Sequence, residues 1–470
     1  MQLREQLVSA ILGGQIPPDE RLPSSRQLAR VLGISRNTVT LAYQSLKDDG
    51  FLLARERSGY YVNDTIRDGR IDAPGELPAG RIDWSGRFRV RPSRQANINK
   101  PEDWPSYSYP FIFGQVDQKL FPVAEWRDCS RRALGRQWLD RWTADHHTRD
   151  DPMLVEQIRT RLLPRRGVLA REDEILVTMG AQQALYLLAS LLVTSRTNVA
   201  LENPGYPDVR NIFQLRTSNI VAIPVDDQGM IPGEDLGSCS LVCVTPSHQA
   251  PTTVTLAKDR RDALLAQAAR DDFVIVEDDY ELETNFVTAP SPALKASDTD
   301  GRVIYVRSLS KTLFPGLRLG FVVADAELIR EARALRRLML RHPPNINQRT
   351  AALFLALGHH DALTMRLRRA YRERWQVMRR AIAKYLPGVT CMPSSGGSSM
   401  WLRGPDTLDA NRLAREALED SVILEPGDIY FSDRPAPQNC FRLGFSSIAA
   451  GDIDEGIRRI ANLCERQSGG

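Results

Sequence analysis

The sequence predicts an α/β protein in two unequal parts: a small helical unit ending in a hairpin, then a large domain on a mostly parallel seven-stranded sheet. Three observations predict it. At 470 residues the chain is longer than one core serves, so two or more domains are expected. The first sixty residues hold three stretches of helical periodicity punctuated by Gly and Pro, followed by an alternating stretch. Between residues 174 and 323 lie seven short Val- and Ile-rich runs, several separated by amphipathic stretches, as strands covered on both faces by helices should look.

Composition bounds the function classes. Hydrophobic residues at 42% and charged residues at 26% describe a globular chain that can bury large cores. A formal charge of +4 is too small at this length to announce nucleic acid, so any DNA contact must be argued locally. The start lacks an apolar signal core, and the longest apolar run, Ala184 to Val193, falls short of the ~20 residues of a membrane span. A cytoplasmic protein without membrane contact is expected. Six scattered cysteines (Cys129, Cys239, Cys243, Cys391, Cys440, Cys464) form no CxxC pair and read as reduced, buried thiols. The pairs His146-His147 and His359-His360 would diverge on a helix, so no metal site is expected.

Taking the elements in order, Leu3, Leu7, Ile11 and Leu12 share a helical face that Gly13-Gly14 and Pro17-Pro18 terminate. Ser24 or Ser25 caps a second helix with Leu28, Ala29 and Leu32 inward and Gly33 at its end. Ser35 caps a third helix, Arg36 to Asp49, with Val39, Ala42, Tyr43 and Leu46 inward and Gly50 closing it. Two helices joined by a short Gly-containing turn make a helix-turn-helix, whose second helix enters the major groove N-terminus first. Arg36, Asn37, Thr38 and Thr40 point outward, and Arg36 and Asn37 are the natural base readers. Residues 51–62 alternate into a hairpin with Ser58-Gly59 at the tip, a wing. Residues 1–62 carry eight Lys and Arg against six Asp and Glu, so their positive groups must cluster to attract phosphate.

Arg21-Leu-Pro-Ser-Ser-Arg26, Leu28-Ala29, Leu32-Gly33-Ile-Ser-Arg-Asn-Thr-Val39 and Ala42-Tyr43 together resemble the GntR family of winged helix-turn-helix regulators. The resemblance implies that Arg26 touches the DNA backbone and that Ser35, Arg36, Asn37, Thr38 and Thr40 lie at the groove. It places Arg57, Ser58 and Gly59 at the minor groove or backbone. The plainer alternative is a helical unit that merely caps the larger domain, but four outward polar residues at one helix start serve no packing purpose. Family members carry a few extra residues before the first helix, so a late start is expected here. Residues 63–105 lose periodicity and read as a linker, made basic by Arg87, Arg89, Arg91 and Arg94, which suits DNA contact or plain solvation.

In the large domain the runs are 174–178, 198–201, 219–223, 241–244, 273–276, 303–306 and 320–323. Ligands of such sheets bind beyond the strands' carboxyl ends, so the segment next after each run matters most. These segments are Met179-Gly-Ala-Gln-Gln183, Glu202-Asn-Pro-Gly-Tyr206, Thr245-Pro-Ser-His-Gln249, Glu277-Asp-Asp-Tyr280 and Arg307-Ser-Leu-Ser-Lys311. They suit an aldehyde cofactor carrying a phosphate and a pyridine ring. Lys311 is an amine for a Schiff base, Asp278 a partner for a protonated ring nitrogen, Tyr280 a donor to the ring hydroxyl and Tyr206 a stacking ring. Amides of Gly180, Ala181 and Gln182 at a helix start, with Ser308, Ser310 and Arg318, would hold the phosphate. His248 joins this set by its place after the fourth run. Singly each has an ordinary structural meaning; at successive strand ends those meanings become improbable together.

The stretch Ser308-Leu-Ser-Lys-Thr-Leu-Phe-Pro-Gly-Leu-Arg-Leu-Gly320 resembles fold type I pyridoxal-phosphate enzymes of the aspartate aminotransferase kind, over roughly residues 106–470. That resemblance implies pyridoxal 5'-phosphate held on Lys311, and implies that Arg442, in Phe441-Arg-Leu-Gly-Phe-Ser446, binds the carboxylate of an amino compound. The two halves together, with Gly114-Gln-Val-Asp-Gln-Lys-Leu-Phe-Pro122 and Trp126, resemble the MocR subgroup of GntR regulators, which includes regulators of GABA, taurine, ectoine and vitamin B6 metabolism. The subgroup implies a homodimer, often head-to-tail, a double-stranded operator, an internal aldimine at Lys311 and an amino-compound effector exchanging there to control amino-compound metabolism genes. Two stretches depart from the family pattern, Thr148-Arg-Asp-Asp-Pro-Met153 and Pro251-Thr252-Thr253. An active aminotransferase with a DNA-binding appendage, and a fold that keeps its cofactor for stability alone, are the other readings.

Overall fold

The computed structural model describes residues 2–67, 82–287 and 291–468, and the chain forms two compact units, Met1–Phe88 and Arg89–Gly470. Of the linker expected over 63–105, residues 68–81 lie outside the described residues. Its last part is packed chain belonging to the large unit: Gln95 Nε2 donates to the Asn211 carbonyl and Asn211 Nδ2 to the Ala96 carbonyl, both at 3.0 Å.

In the small unit, helices α1 (Gln2–Leu12), α2 (Ser25–Leu32) and α3 (Arg36–Asp48) precede the antiparallel hairpin β1 (Leu52–Arg55) and β2 (Gly59–Val62). Ser24 caps α2 by accepting from the Gln27 amide, and Ser35 caps α3 by accepting from the Thr38 amide. Gly33, with φ of 66°, supplies the left-handed residue that ends α2 and starts the turn into α3. The core is Ile11, Leu22, Ala29, Val39, Tyr43, Leu46, Leu52 and Val62. Two expected core residues face solvent instead, Leu12 and Leu32. Leu12 sits about 100° around the helix from Ile11, while Val8 packs against the core. The wing also turns one residue earlier than expected: Arg55 pairs with Gly59, so the loop is Glu56-Arg57-Ser58, with Arg57 left-handed at φ 57°.

The large unit is built on β3 (Ile175–Thr178), β4 (Val199–Asn203), β5 (Ile220–Asp226), β6 (Gly229–Met230), β7 (Leu241–Val244), β8 (Val274–Asp278), β9 (Val303–Ser308) and β10 (Gly320–Val323). Their order is β3-β10-β9-β8-β7-β4-β5-β6. Every expected run is a strand. The eighth strand, β6, is a two-residue antiparallel return at the edge, too short to leave a periodic signal. The block β9-β8-β7-β4-β5 is parallel, whereas β10 is antiparallel to both β9 and β3. Antiparallel neighbours need no crossover helix, so the chain from β9 to β10 is a short connection over the carboxyl edge of the sheet, and it carries Lys311.

A second, four-stranded sheet is formed by β11 (Thr390–Cys391), β12 (Ser399–Arg403), β13 (Glu425–Pro426) and β14 (Cys440–Gly444), in the order β11-β12-β14-β13. Its register sets Glu425 opposite Arg442. Cys129, Cys239, Cys243 and Cys440 are buried as expected, but Cys391 is exposed on the edge strand β11 and Cys464 is half-buried. Among the described residues no helix is long and apolar enough to cross a membrane.

Candidate functional site

Strands β3, β4, β7, β8 and β9 run the same way, so their carboxyl ends meet at one edge, above which lies a cavity of about 510 Å³. That volume suits a cofactor together with a small ligand. Of the residues expected at the site, Ala181, Gln182, Tyr206, Asp278, Tyr280, Ser308, Ser310, Lys311, Arg318 and Arg442 all line it.

Lys311 is positioned by the connection after β9. Its Nζ lies 3.9 Å from the Phe113 ring centroid, a cation–π contact. The backbone conformation at Gly114, with φ 80°, favours glycine, and a Cβ there would stand 2.7 Å from that Nζ. Burial, helped by the nearby charges of Lys100 and Arg442, pulls the amine down to about 8 against the opposing pull of Glu281 and Glu425. Such an amine is available in neutral form near neutrality.

Asp278 closes β8. Burial and the adjacent charge of Asp279 push its carboxyl up to about 7, and its Oδ1 is buried without a partner. A buried carboxylate oxygen in want of a donor fits the protonated nitrogen of a pyridine ring. At the other end, α4 (Ala181–Leu192) starts at Gly180, whose φ is 85°. Arg318, itself left-handed, donates to the Met179 carbonyl at 2.9 Å and lies 3.1 Å from where a Gly180 Cβ would be. Ser310 Oγ is buried without a partner beside Ser308 Oγ, which accepts from the Ser310 amide. A helix N-terminus, a guanidinium and a partnerless hydroxyl converge, as a phosphate dianion requires. Residues and cofactor chemistry fit.

Two expected residues lie elsewhere. Gly180 backs onto Arg318 behind the cavity wall. His248 is buried outside the cavity with both ring nitrogens unpartnered, and burial pushes its pKa down to about 4, opposed by Asp279, so the ring is neutral. Its neighbour Gln249 donates to the Pro204 carbonyl at 2.7 Å and to Glu202 at 3.3 Å, while Thr245 and Ala250 of the same segment line the cavity. Conversely, sequence reasoning missed Asn97, Lys100, Phe113, Gly114 and Asp208 in the cavity wall. Tyr206 donates to Asp208 at 2.9 Å, and Asn97 and Gln182 donate to it as well. Arg442 is not bare, because its Nε and Nη2 both donate to Glu425 Oε2.

On the small unit Arg26, Arg36, Asn37, Thr38, Thr40, Arg57 and Gly59 are exposed. Ser35 Oγ lies 2.8 Å from Thr38 Oγ1, Thr40 Oγ1 donates to the Arg36 carbonyl, and Ser58 Oγ lies 2.6 Å from the Tyr61 hydroxyl. Arg36 and Asn37 therefore keep the freest reach from the start of α3.

Comparison with known proteins bears on both units. Residues 1–62 match the model of bacterial regulatory proteins of the gntR family, and residues 151–460 that of aminotransferase class I and II. The chain is similar to the HTH-type transcriptional regulator TauR of Rhodobacter capsulatus, 44% identical over 98% of this chain and 95% of that one. It is also similar to the probable rhizopine catabolism regulatory protein MocR of Rhizobium meliloti, at 32% over 100% and 94%. The large unit resembles kynurenine aminotransferase of Pyrococcus horikoshii, solved in complex with PMP, with a TM-score of 0.75 and 27% identity over 82% of this chain and 98% of that one. The chain therefore belongs to the MocR-like HTH-type transcriptional regulators of the GntR family, in which the DNA-binding unit is joined to an aminotransferase class I and II domain with pyridoxal 5'-phosphate as its cofactor.

Proposed function

We propose that the protein is a ligand-responsive regulator in which an amino compound bound at Lys311 changes how the small unit holds double-stranded operator DNA. The observation that carries this reading is the coexistence, on one chain, of a solvent-facing base-reading edge on α3 and a cavity holding Lys311, Asp278 and Arg442 together. When bound, pyridoxal phosphate supplies an electrophilic carbon that primary amines reach reversibly. Lys311, held as a weakly basic amine, gives way to an incoming amine near neutral pH. Asp278 would accept a hydrogen bond from the protonated ring nitrogen, Tyr280 would donate to the ring hydroxyl, Tyr206 would stack on the ring, and Ser308, Ser310, Arg318 and the amides of Ala181 and Gln182 would anchor the phosphate. Arg442 orients the acid end of the effector. Arg26 holds the DNA backbone, Arg57, Ser58 and Gly59 reach the minor groove or backbone, and Arg36 and Asn37 read bases, with Ser35, Thr38 and Thr40 beside them at the groove. The native assembly in this reading is a homodimer, possessing two such base-reading edges. Regulation requires that the effector favour one arrangement of the protein over another.

Residues Lys311, Asp278 and Arg442 in one cavity also favour a second reading, a working aminotransferase with a DNA-binding appendage. One experiment separates them: titrate the cofactor-loaded protein with amines, follow its absorbance, then measure operator binding with and without each responding amine. An amine that moves both signals supports regulation. Operator affinity, geometry and transcriptional output all unchanged by every responding amine refute it, and sustained turnover with a keto-acid acceptor supports the second reading.

A further inference from the structure

We infer that Lys100 is a second cationic ligand for the acid group of the effector, brought to the cavity by the stretch of chain that opens the large unit. The inference rests on the amine-sensing reading above and narrows the effector to primary amines bearing one singly charged acid, a carboxylate or a sulfonate.

Arg442 by itself offers an acid only part of its guanidinium. Because β13 and β14 pair with Glu425 opposite Arg442, Glu425 Oε2 takes the Nε and Nη2 hydrogens at 2.8 and 2.6 Å, and the Tyr430 hydroxyl donates to the same oxygen at 3.3 Å. The other oxygen, Oε1, accepts from the Phe113 amide at 3.1 Å and lies 3.9 Å from Lys100 Nζ. Lys100 Nζ also donates to the Phe113 carbonyl. One carboxylate thus bridges two cations, and the three groups together carry a single positive charge at the cavity wall. Buried charge is costly until an opposite charge meets it. A monoanionic acid meets it; a plain amine does not, and a dianion overshoots.

The geometry around Lys311 agrees. Lys311 Nζ and Lys100 Nζ lie 2.7 and 3.8 Å from the point where a Gly114 Cβ would stand, so both side-chain nitrogens crowd the same patch of backbone. Lys311 Nζ and Arg442 Cζ lie 3.9 and 4.0 Å from the Phe113 centroid, so one ring spaces the amine-binding and acid-binding groups. Lys100 belongs to a stretch held down by Gln95 on Asn211 and Asn97 on Asp208, and Asp208 also receives Tyr206 and Gln182. An acid drawn to Lys100 therefore acts on the chain that leads back toward the DNA-binding unit, whereas one held by Arg442 alone does not.

The test uses the full-length, cofactor-loaded protein and four probes: propylamine, 3-aminopropanoate, 2-aminoethanesulfonate and 2-aminoethylphosphonate. Half-saturation is read from absorbance, and ligand-induced shifts in thermal unfolding give an independent measure of binding. In Lys100→Gln the preference for the carboxylate and sulfonate over propylamine should fall about tenfold, the worth of one hydrogen bond to a charged group. In Glu425→Gln, which leaves two cations without their bridge, preference should shift from the sulfonate toward the phosphonate. Unchanged preference ratios in both variants overturn the role of Lys100 while leaving amine sensing intact. A wild-type protein that responds to none of the four overturns this inference, whereas the sensing reading stands or falls on the operator-binding test with every amine.

Discussion

The two units offer their functional groups to their ligands in opposite ways. Along α3 the residues proposed to meet DNA stand in solvent within five consecutive positions, 36–40, held only by a cap and local hydroxyl bonds. In the cavity the working groups come from positions as far apart as Lys100 and Arg442, and burial shifts Lys311 and Asp278 toward neutrality. The contrast follows from the ligands. A polyanion in water is met by reach and surface charge, whose effect salt screens, whereas bond-making with a small amine needs groups tuned beforehand in a dry, fixed pocket. Substitutions should accordingly act on one unit and spare the other.

The largest expected effect is Lys311→Ala. It removes the amine at the floor of the site, so the purified variant should lose the cofactor's protein-bound absorbance while the small unit keeps its DNA affinity. Retention of that absorbance would sink the assignment of Lys311. Next comes Asp278→Asn, which replaces a charge-assisted bond and should weaken cofactor binding by about 1.5–3 kcal/mol in an equilibrium titration. It has a pH signature too. In the cofactor-free protein Asp278 is raised from 3.8 to about 7, so the folded state holds a proton that the unfolded state releases, and stability falls as pH rises through that window. Asp278→Asn should flatten that part of the slope, with Glu202 and Glu277, also raised to about 7, keeping theirs.

The same contrast governs what the sequence made legible. All seven main strands could be read from their apolar runs, and most of the cavity residues because five of those runs lead directly into a functional segment, whereas Arg442, inside a strand of the second sheet, was read from the family resemblance. Recognition of the base-reading edge rested on a cap, a Gly and a periodic inner face, all local. Lys100 and Glu425 were illegible because their roles depend on register across the second sheet and on a segment that reads as linker until it packs. His248 misled for the converse reason: its loop lines the cavity through Thr245 and Ala250, but the His248 ring itself is buried outside it. Leu12 and Leu32 were placed inward by spacing alone, which cannot say where a three-helix core ends.

On the DNA side, Arg36→Ala should cost about 1–3 kcal/mol of operator affinity, with discrimination among base pairs reduced. Arg26→Ala should instead weaken binding to all sequences alike and lower the salt dependence. Both are read by titration of labelled operator at several salt concentrations, and the cofactor absorbance should not move in either. A loss from Arg36→Ala that is the same on operator and on random DNA would remove Arg36 from base reading.

The smallest effect tests whether the two units are energetically separate. Tyr43 lies in the core of the small unit, its hydroxyl donating to the Pro23 carbonyl at 2.9 Å and its ring edge-on to Tyr60. Burial pushes the phenol up to about 12, so it stays a donor across the accessible pH range. Tyr43→Phe keeps the ring and leaves the Pro23 carbonyl, just before the α2 cap, without its donor. The expected loss is about 1 kcal/mol, confined to the small unit, and it should appear in thermal unfolding followed by far-UV dichroism as an earlier first transition. Loss of the cofactor's absorbance, which reports on the cavity, should keep its midpoint, because nothing in the Lys311 site depends on Pro23. If both midpoints fall together, the units unfold as one, and the separation of an exposed, locally built DNA face from a buried, globally built pocket holds for chemistry but not for stability.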